Sequence, residues 1–359
     1  MSGCALLYGA TGYTGRLVAR RLAQAGVDVI VAGRDPQGVR AVAEPLGLAW
    51  TAFGLADAEA AARALAGVDV VLNAAGPFEV TAAPMVDACL RAGAHYLDLG
   101  GEWPVFVDLI ACDEAAREAG IMIMPGVGLT IVATDCLMAL AKQAQPDAVK
   151  LRLGISRPQV VTRGTVASAA HLLSPDVVIR RAGRLVSVPA GSLAHAFDFG
   201  DGLREATALS WADAATGQIT TGVGDIEVYS ELPWPQRLSY RVSGMAMGVT
   251  GAKPWRTLGG AMAAAWPEGP SEESRRRAEF VMVCEAVDPW RRVTRVRMRT
   301  RDGYTVSELT ATAAVQRVLA GEASPGFQTP ARMFGADFIL GLGCASLDAA
   351  PERVEGAPA

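Results

Sequence analysis

Glycines at positions 9, 12 and 15 recur every three residues in the stretch YGATGYTGRLVARRL, residues 8–22. Glycine is the residue type needed where backbone turns sharply or comes close to an anion. The spacing predicts that Gly9 makes the turn, that Gly12 lets the chain approach a pyrophosphate, and that Gly15 lets a helix close on a strand. Thr11, Tyr13 and Thr14 in the same loop offer hydroxyls, although Tyr13 can equally pack against a sheet. In VIVAGRD, Gly33 and Arg34 stand where a carboxylate would bind the ribose hydroxyls of NAD. A guanidinium suits a 2′-phosphate instead, by its charge and its forked donors. Asp35 precedes Pro36 and is read as a helix cap rather than a ribose ligand. NADP is therefore the expected cofactor. In NAAGPF, residues Asn73, Ala74, Ala75, Gly76, Pro77 and Phe78 end another strand pattern. They are expected beside the nicotinamide ribose, because ligands lie beyond the carboxyl ends of parallel strands. A tight strand-to-helix turn would account for the same residues.

Hydride chemistry at a nicotinamide needs placement and, for many substrates, a proton. Glu102 lies just beyond HYLDLGG, Tyr229 follows GDIEV, and His171 sits in the apolar run TVASAAHLL. Each also has a structural reading: a brace for the next helix, a packed sheet tyrosine, a satisfied core histidine. Tyr96 and Asp98 are two apart and share a strand face; they either pin neighbouring loops or take a part in the chemistry. No serine nucleophile elbow, HExxH or P-loop lysine competes, and no metal site is expected.

These residues need a frame. Over the first 145 residues, apolar strand patterns alternate with helical ones: ALLYG, VDVIVAG, AWTAFG, VDVVLNAAG, HYLDLGG and IMIMPG are the strands. That alternation predicts an α/β, doubly wound parallel sheet of the Rossmann type over residues 1–145. Past residue 146 the pattern changes to VKLRLGIS, IEVYSEL, RLSYRVSG, EFVMVCEAV and RVRMRTR, which predict an α+β domain with a mixed or antiparallel sheet over residues 146–325. The arginines of RVRMRTR are read as a solvated strand face that discourages edge pairing. RGTVASAAHLL reads as the start of a helix, AGRLVSVPAG as a hairpin-like turn and WPEGPSEESRRR as an exposed loop.

A chain of 359 residues, half apolar and a fifth charged, is expected to hold two soluble domains. With a net charge of −4 and no basic block, nucleic acid and membrane surfaces are not expected partners. The six cysteines are scattered in apolar segments, without CxxC spacing, as reduced buried thiols would be. No export signal precedes CALLYG, so a cytoplasmic protein is expected.

The stretches GATGYTG, AGR, NAAGPF, HYLDLGGE, TTGVGDIEVY and GFQTPARMFGADF, in this order, resemble the saccharopine dehydrogenase-like oxidoreductases, including the branch with the trans-acting enoyl reductases. The resemblance implies a terminal segment, 326–359, whose helix returns to the first domain. After the sixth strand that family often has Gly-Phe-Asp-x-x-Pro-Ser-Asp. Here GLTIVATD keeps Gly128 and Asp135 but has Leu129 and Thr130 in place of Phe and Asp. The resemblance therefore implies Thr130 as a substrate contact, and the change argues against saccharopine itself. The expected function is NADPH-dependent reduction of a C=C or C=N bond in a small or carrier-derived substrate, in secondary metabolism. The alternatives are a saccharopine-like amino-acid dehydrogenase and a non-catalytic NADP-binding regulator. A homodimer is the oligomer considered.

Overall fold

The computed structural model describes residues 3–157, 174, 176–232, 237–238, 240, 242, 269–348 and 350–354. The chain forms two compact units: Met1–Val132 with Gly303–Met333, and Ala133–Asp302 with Phe334–Ala359.

In the first unit, strands and helices alternate as β1 (Ala5–Tyr8), α1 (Tyr13–Gln24), β2 (Val29–Gly33), α2 (Pro36–Ala43), β3 (Ala49–Ala52), α3 (Ala58–Ala64), β4 (Val70–Asn73), α4 (Phe78–Ala92), β5 (His95–Asp98), α5 (Trp103–Ile110), α6 (Asp113–Glu118) and β6 (Met122–Met124). The six strands pair in the order β6-β5-β4-β1-β2-β3, all parallel. β1 and β4 are buried at every position, as strands covered on both faces must be. α1 turns Val18, Ala19 and Leu22 inward and leaves Arg20 and Arg21 in solvent. Burying each of the larger two contributes about 1.5–3 kcal/mol.

The helix α7 (Leu129–Ala144) runs from the first unit into the second. The second unit holds β7 (Lys150–Ile155), β8 (Asp176–Arg181), β9 (Arg184–Pro189), β10 (Ala194–Asp198), β11 (Leu203–Ala208), α8 (Asp213–Thr221), β12 (Asp225–Glu231), α9 (Glu272–Arg277), β13 (Glu279–Val287) and β14 (Val293–Arg301). After β14 the chain re-enters the first unit as α10 (Gly303–Leu319) and β15 (Gly326–Phe327), then returns to the second as β16 (Ala345–Leu347) and β17 (Glu352–Val354). β15 pairs parallel to β6 and makes the Rossmann sheet seven-stranded. The second sheet has ten strands and is mixed: β12 and β7 are parallel, and its other pairs are antiparallel.

Several expectations meet different facts. The units divide at 132, 302 and 333, where the sequence pattern put boundaries at 145 and 325. α10 returns to the first unit, and so do β15 and the helix Pro330–Phe334 as far as Met333. From Phe334 the chain belongs to the second unit, where β16 and β17 both pair with β14. β14 is therefore not an edge, and three of its arginines are paired with carboxylates, while Arg301 at its end is exposed. Arg295 bonds Glu285 at 3.1 Å, Arg297 meets Asp198 at 3.3 Å, and Arg299 bonds Asp348 at 2.7 Å. Strand register builds a charged rung across five strands: Glu352 opposite Arg295, Arg295 opposite Glu285, Glu285 opposite Arg152, and Arg152 opposite Glu227. Opposite charges facing across strands stabilise that register.

The AGRLVSVPAG stretch is a hairpin, with its turn at Ala182 (φ 48°) and Gly183 (φ 76°) and β9 as its second arm. Two left-handed residues match the twist of paired strands. Of RLSYRVSG, the described residues Arg237, Leu238, Tyr240 and Val242 are helical, not extended. Part of the expected loop WPEGPSEESRRR is α9, capped where Ser271 accepts the Ser274 N–H at 3.1 Å. RGTVASAAHLL lies outside the described residues. Among the described residues no helix is long and apolar enough to cross a membrane, and no group of three or more His, Cys, Asp or Glu is arranged for a metal ion.

Candidate functional site

The glycine loop joins β1 to α1. Gly9 is left-handed (φ 87°), and a Cβ there would lie 2.6 Å from the Ala75 nitrogen. This turn therefore presses against the loop that follows β4, and only glycine fits. Gly15 is in α1, and a Cβ there would stand 2.2 Å from the Gly9 carbonyl oxygen. Helix and strand close on each other at that point. Gly12 is different. Its φ of −70° suits any residue, and an added Cβ would meet only the Gly9 oxygen, at 3.4 Å. Among the described residues nothing demands glycine at 12, and the side-chain space in front of it is open to a ligand. Gly12 is also the cap of α1, which has no side-chain cap and no acidic residue in its first turn. An uncapped helix start with open backbone before it fits a diphosphate.

At the end of β2, Asp35 accepts the Gln37 and Gly38 N–H groups, both at 3.1 Å. It caps α2, so its carboxylate is directed at its own helix. Arg34 is exposed beside it. Its charge reaches the Tyr8 phenol, whose pKa burial raises and Arg34 lowers. Tyr8 donates to the Phe53 carbonyl at 3.1 Å and so ties the ends of β1 and β3 together under Arg34. A solvent-facing guanidinium beside a committed carboxylate fits NADP and not the ribose diol of NAD.

Other loop residues find partners within the first unit. The Arg16 guanidinium donates to the Thr11 carbonyl. The Tyr13 ring meets Tyr304 of α10 edge-on at 5.3 Å, rather than packing on the sheet. Thr14 is half-buried in the first turn of α1.

Beyond β4, Asn73 is fully buried and turned inward. Its Oδ1 accepts the Ala75 N–H at 3.0 Å, and its Nδ2 donates to Thr81 Oγ1 at 3.2 Å and to the Tyr96 hydroxyl at 3.4 Å. Thr81 donates to the Ala75 carbonyl at 2.6 Å. Both polar groups of the Ala75 peptide neighbourhood are thus held from inside. Ala74, Gly76 and Pro77 continue this loop, and Phe78 opens α4 with its ring buried.

Asp98 ends β5 with no exposure. It accepts the Tyr96 hydroxyl, the Gly100 N–H and the Gly126 N–H, each at 2.8 Å. Burial pushes its pKa up to about 6, against the pull of those three donors, with the Glu102 charge adding to the rise. Glu102 is 3% exposed and accepts the Gly101 N–H at 2.9 Å. It precedes α5 and does not cap it with its side chain.

The remaining candidates lie elsewhere. Thr130 is in the first turn of α7, so the stretch LTIVATD is helix and not loop. His171 lies outside the described residues. Tyr229 belongs to the second unit, within an apolar cluster with Phe197, Phe199 and Val283. It donates to Glu227 at 2.8 Å, and burial with that carboxylate drives its pKa far above the ordinary phenol value.

Sequence reasoning missed the support from α10. Ser307 Oγ accepts the Leu129 N–H at 3.0 Å, and Thr310 donates to the Val127 carbonyl at 2.7 Å. Tyr304, Ser307 and Thr310 recur every three residues, one face of a helix, and that polar stripe was the available signal.

Residues 5–124 match the family described as the saccharopine dehydrogenase NADP-binding domain. A protein of Mycobacterium tuberculosis named as a candidate trans-acting enoyl reductase is 37% identical over 158 residues, 40% of this chain and 36% of that protein. The trans-acting enoyl reductase of Mycobacterium ulcerans is 38% identical over 104 residues, 27% of this chain and 25% of that protein. These matches span about a third or less of the relatives' length. Apo saccharopine dehydrogenase (L-Glu forming) from Saccharomyces cerevisiae superposes with a TM-score of 0.63 at 12% identity, covering 98% of this chain and 100% of that one. At that identity the likeness is one of fold. Residues 5–124 thus match a saccharopine dehydrogenase NADP-binding domain, whose cofactor is NADP, within a chain that has the fold of saccharopine dehydrogenase.

Proposed function

We propose that the protein is an NADPH-dependent reductase of conjugated C=C bonds in acyl groups, free or carried as thioesters. The observation that carries this reading is the glycine cradle, open only at Gly12 among its three glycines, beside an exposed Arg34 and an Asp35 committed to capping α2. The names of the aligned relatives favour an enoyl substrate. Bound NADPH supplies a hydride. The chain's own residues do the rest. The backbone at Gly12 and the start of α1 hold the diphosphate, Arg34 holds the 2′-phosphate, and the loop from Ala74 to Phe78 bounds the nicotinamide side. Reduction of an enoyl group also needs a proton at the α-carbon. Glu102, beyond β5 in the cofactor-binding unit, is the proposed carrier of that proton, and Thr130 the proposed substrate contact. Tyr229 is the weaker choice, since its hydroxyl is donated to Glu227.

The test uses the full chain, NADPH and a 2-enoyl pantetheine thioester, followed by loss of reduced-nicotinamide absorbance and by mass spectrometry. One equivalent of saturated thioester per NADPH is expected. Binding of NADPH without oxidation by enoyl thioesters of several lengths would refute the reading. Oxidation only with an imine of a lysine-derived aldehyde would replace it with amino-acid dehydrogenase chemistry.

A further inference from the structure

Asp98 is the point where three loops at the carboxyl edge of the sheet meet. One oxygen accepts the Gly100 N–H, from the loop after β5, and the Gly126 N–H, from the turn after β6. The other accepts the Tyr96 hydroxyl. Through Tyr96 the chain of bonds reaches Asn73, and through Asn73 the N–H of Ala75. Ala75 is the residue against which the Gly9 turn is pressed. We propose that ionised Asp98 is a positioning residue for the cofactor: its charge holds the loops after β4, β5 and β6 against the glycine turn, and its protonation releases them. This rests on the NADP assignment, and it concerns affinity for the cofactor rather than chemistry on the substrate.

The balance of hydrogens carries the argument. As a carboxylate, Asp98 accepts three hydrogens and has none of its own. A proton taken from solvent occupies one of the acceptor sites and makes that oxygen a donor and a poorer acceptor, so the three charge-assisted bonds become ordinary, weaker ones. If the added hydrogen lies toward Tyr96, the phenol must turn its own hydrogen away to accept it, and its 3.4 Å contact with Asn73 is disturbed with it. The groups facing Asp98 are few. Tyr96 comes from its own strand, the Gly100 and Gly126 amides from two loops, and Glu102 supplies the charge that opposes its ionisation. The Phe78 ring of α4 stands close to Gly100, where a Cβ would meet it at 3.3 Å. His95 points elsewhere, accepting the Met122 N–H at 3.0 Å.

The release lies within reach of ordinary pH, because burial lifts the carboxyl to about 6. The sign separates it from unfolding. A folded pKa above the unfolded one means that protonation favours the native fold, so acid does not cost global stability through this group. Cofactor affinity falls with the local release of the loops, while global stability does not fall through this group.

The experiment is calorimetric titration of NADP+ into the wild-type chain and the Asp98→Asn variant, from pH 5 to pH 8. The 2′-phosphate of the ligand also titrates near pH 6, so the ratio of the two affinities is the readout. The wild type should bind about tenfold more tightly than Asp98→Asn at pH 8, the equivalent of one lost hydrogen bond, and the ratio should approach one at pH 5. A ratio of one at every pH, or one that does not change with pH, would overturn the proposal. Tyr96→Phe removes a donor that lowers the Asp98 pKa, so it should move the midpoint upward. Amide exchange of Ala75 and Gly126, corrected for intrinsic rates, reads the same release in the wild type without any ligand. Protection that falls below pH 6 supports the proposal, and constant protection refutes it. Absence of NADP+ binding at every pH would instead sink the cofactor assignment, with amide exchange still deciding the role of Asp98.

Discussion

Gly12 and Gly15 are three residues apart, one at the cap of α1 and one inside it, and alanine at each should fail in a different way. At Gly15 the new Cβ would lie 2.2 Å from the Gly9 carbonyl oxygen and 3.0 Å from the Ala10 Cα. Both are backbone atoms, so no side chain can swing aside. Relief requires α1 to move off β1 by about 1 Å, and such overpacking costs about 1–3 kcal/mol or more. The better helix propensity of alanine, about 1 kcal/mol, offsets part of this. At Gly12 the new Cβ makes an ordinary 3.4 Å contact at an ordinary φ. The cost there is the poorer cap, about 1 kcal/mol or less. The methyl instead occupies the space through which a diphosphate would approach. Urea unfolding and NADPH calorimetry on both variants separate the two effects. Gly12→Ala should unfold close to the wild-type midpoint and bind NADPH at least about 100-fold more weakly, since it removes several charge-assisted bonds from the cradle at once. Gly15→Ala should lose midpoint first. Wild-type affinity in Gly12→Ala would refute the assignment of the cradle, whatever happened to Gly15→Ala.

Three further results are expected. Arg34→Ala should weaken NADPH by about 10- to 100-fold and leave NADH unchanged, because charge-assisted bonds to one phosphate contribute about 1.5–3 kcal/mol; an equal loss for both cofactors would contradict the role given to Arg34. Asp35→Ala should cost about 1 kcal/mol of stability through its lost cap and leave the preference for NADPH intact, measured by thermal unfolding and by the ratio of the two dissociation constants. Asp213 in α8 is fully buried; among the described residues neither carboxyl oxygen has a hydrogen-bond partner of good geometry, and the Thr134 hydroxyl beside it gives only a partial pull toward ionisation. Burial, with the Asp135 charge adding to it, raises its pKa well above the ordinary value. The folded chain therefore holds that proton more tightly than the unfolded chain, and stability falls as pH rises from the ordinary carboxylate range toward the raised value. Asp213→Asn should be more stable than the wild type at pH 8 and nearly equal to it at pH 4 in urea titrations. A difference that does not depend on pH would refute the buried-acid reading.

Much of the local geometry of the candidate site was legible before any fold was seen, because its signals are short-range. Gly9 turns where the spacing put the turn, Gly15 packs where the helix closes, and Asp35 caps α2, which leaves Arg34 to face solvent. Helix periodicity between apolar runs gave the parallel sheet, since a strand covered on both faces must be apolar throughout. The second unit was harder to read. The residues of RVRMRTR alternate whether the strand lies at an edge or inside, and only the arrival of β16 and β17 shows that it is inside.

Sequence alone thus determined the glycine turn, the cap that frees Arg34, the doubly wound first sheet and the change of pattern after it. Tertiary structure decided that α10 supports the start of α7 through Ser307 and Thr310, that β15 joins the first sheet, that Asp98 gathers three loops, and that the arginines of β14 meet carboxylates. The division follows from range. Backbone sterics, caps and periodicity act within a few residues and are written locally. Contacts between residues 129 and 307, or the register that sets Arg295 against Glu285, depend on which distant segments pack together, and packing is a property of the folded chain as a whole.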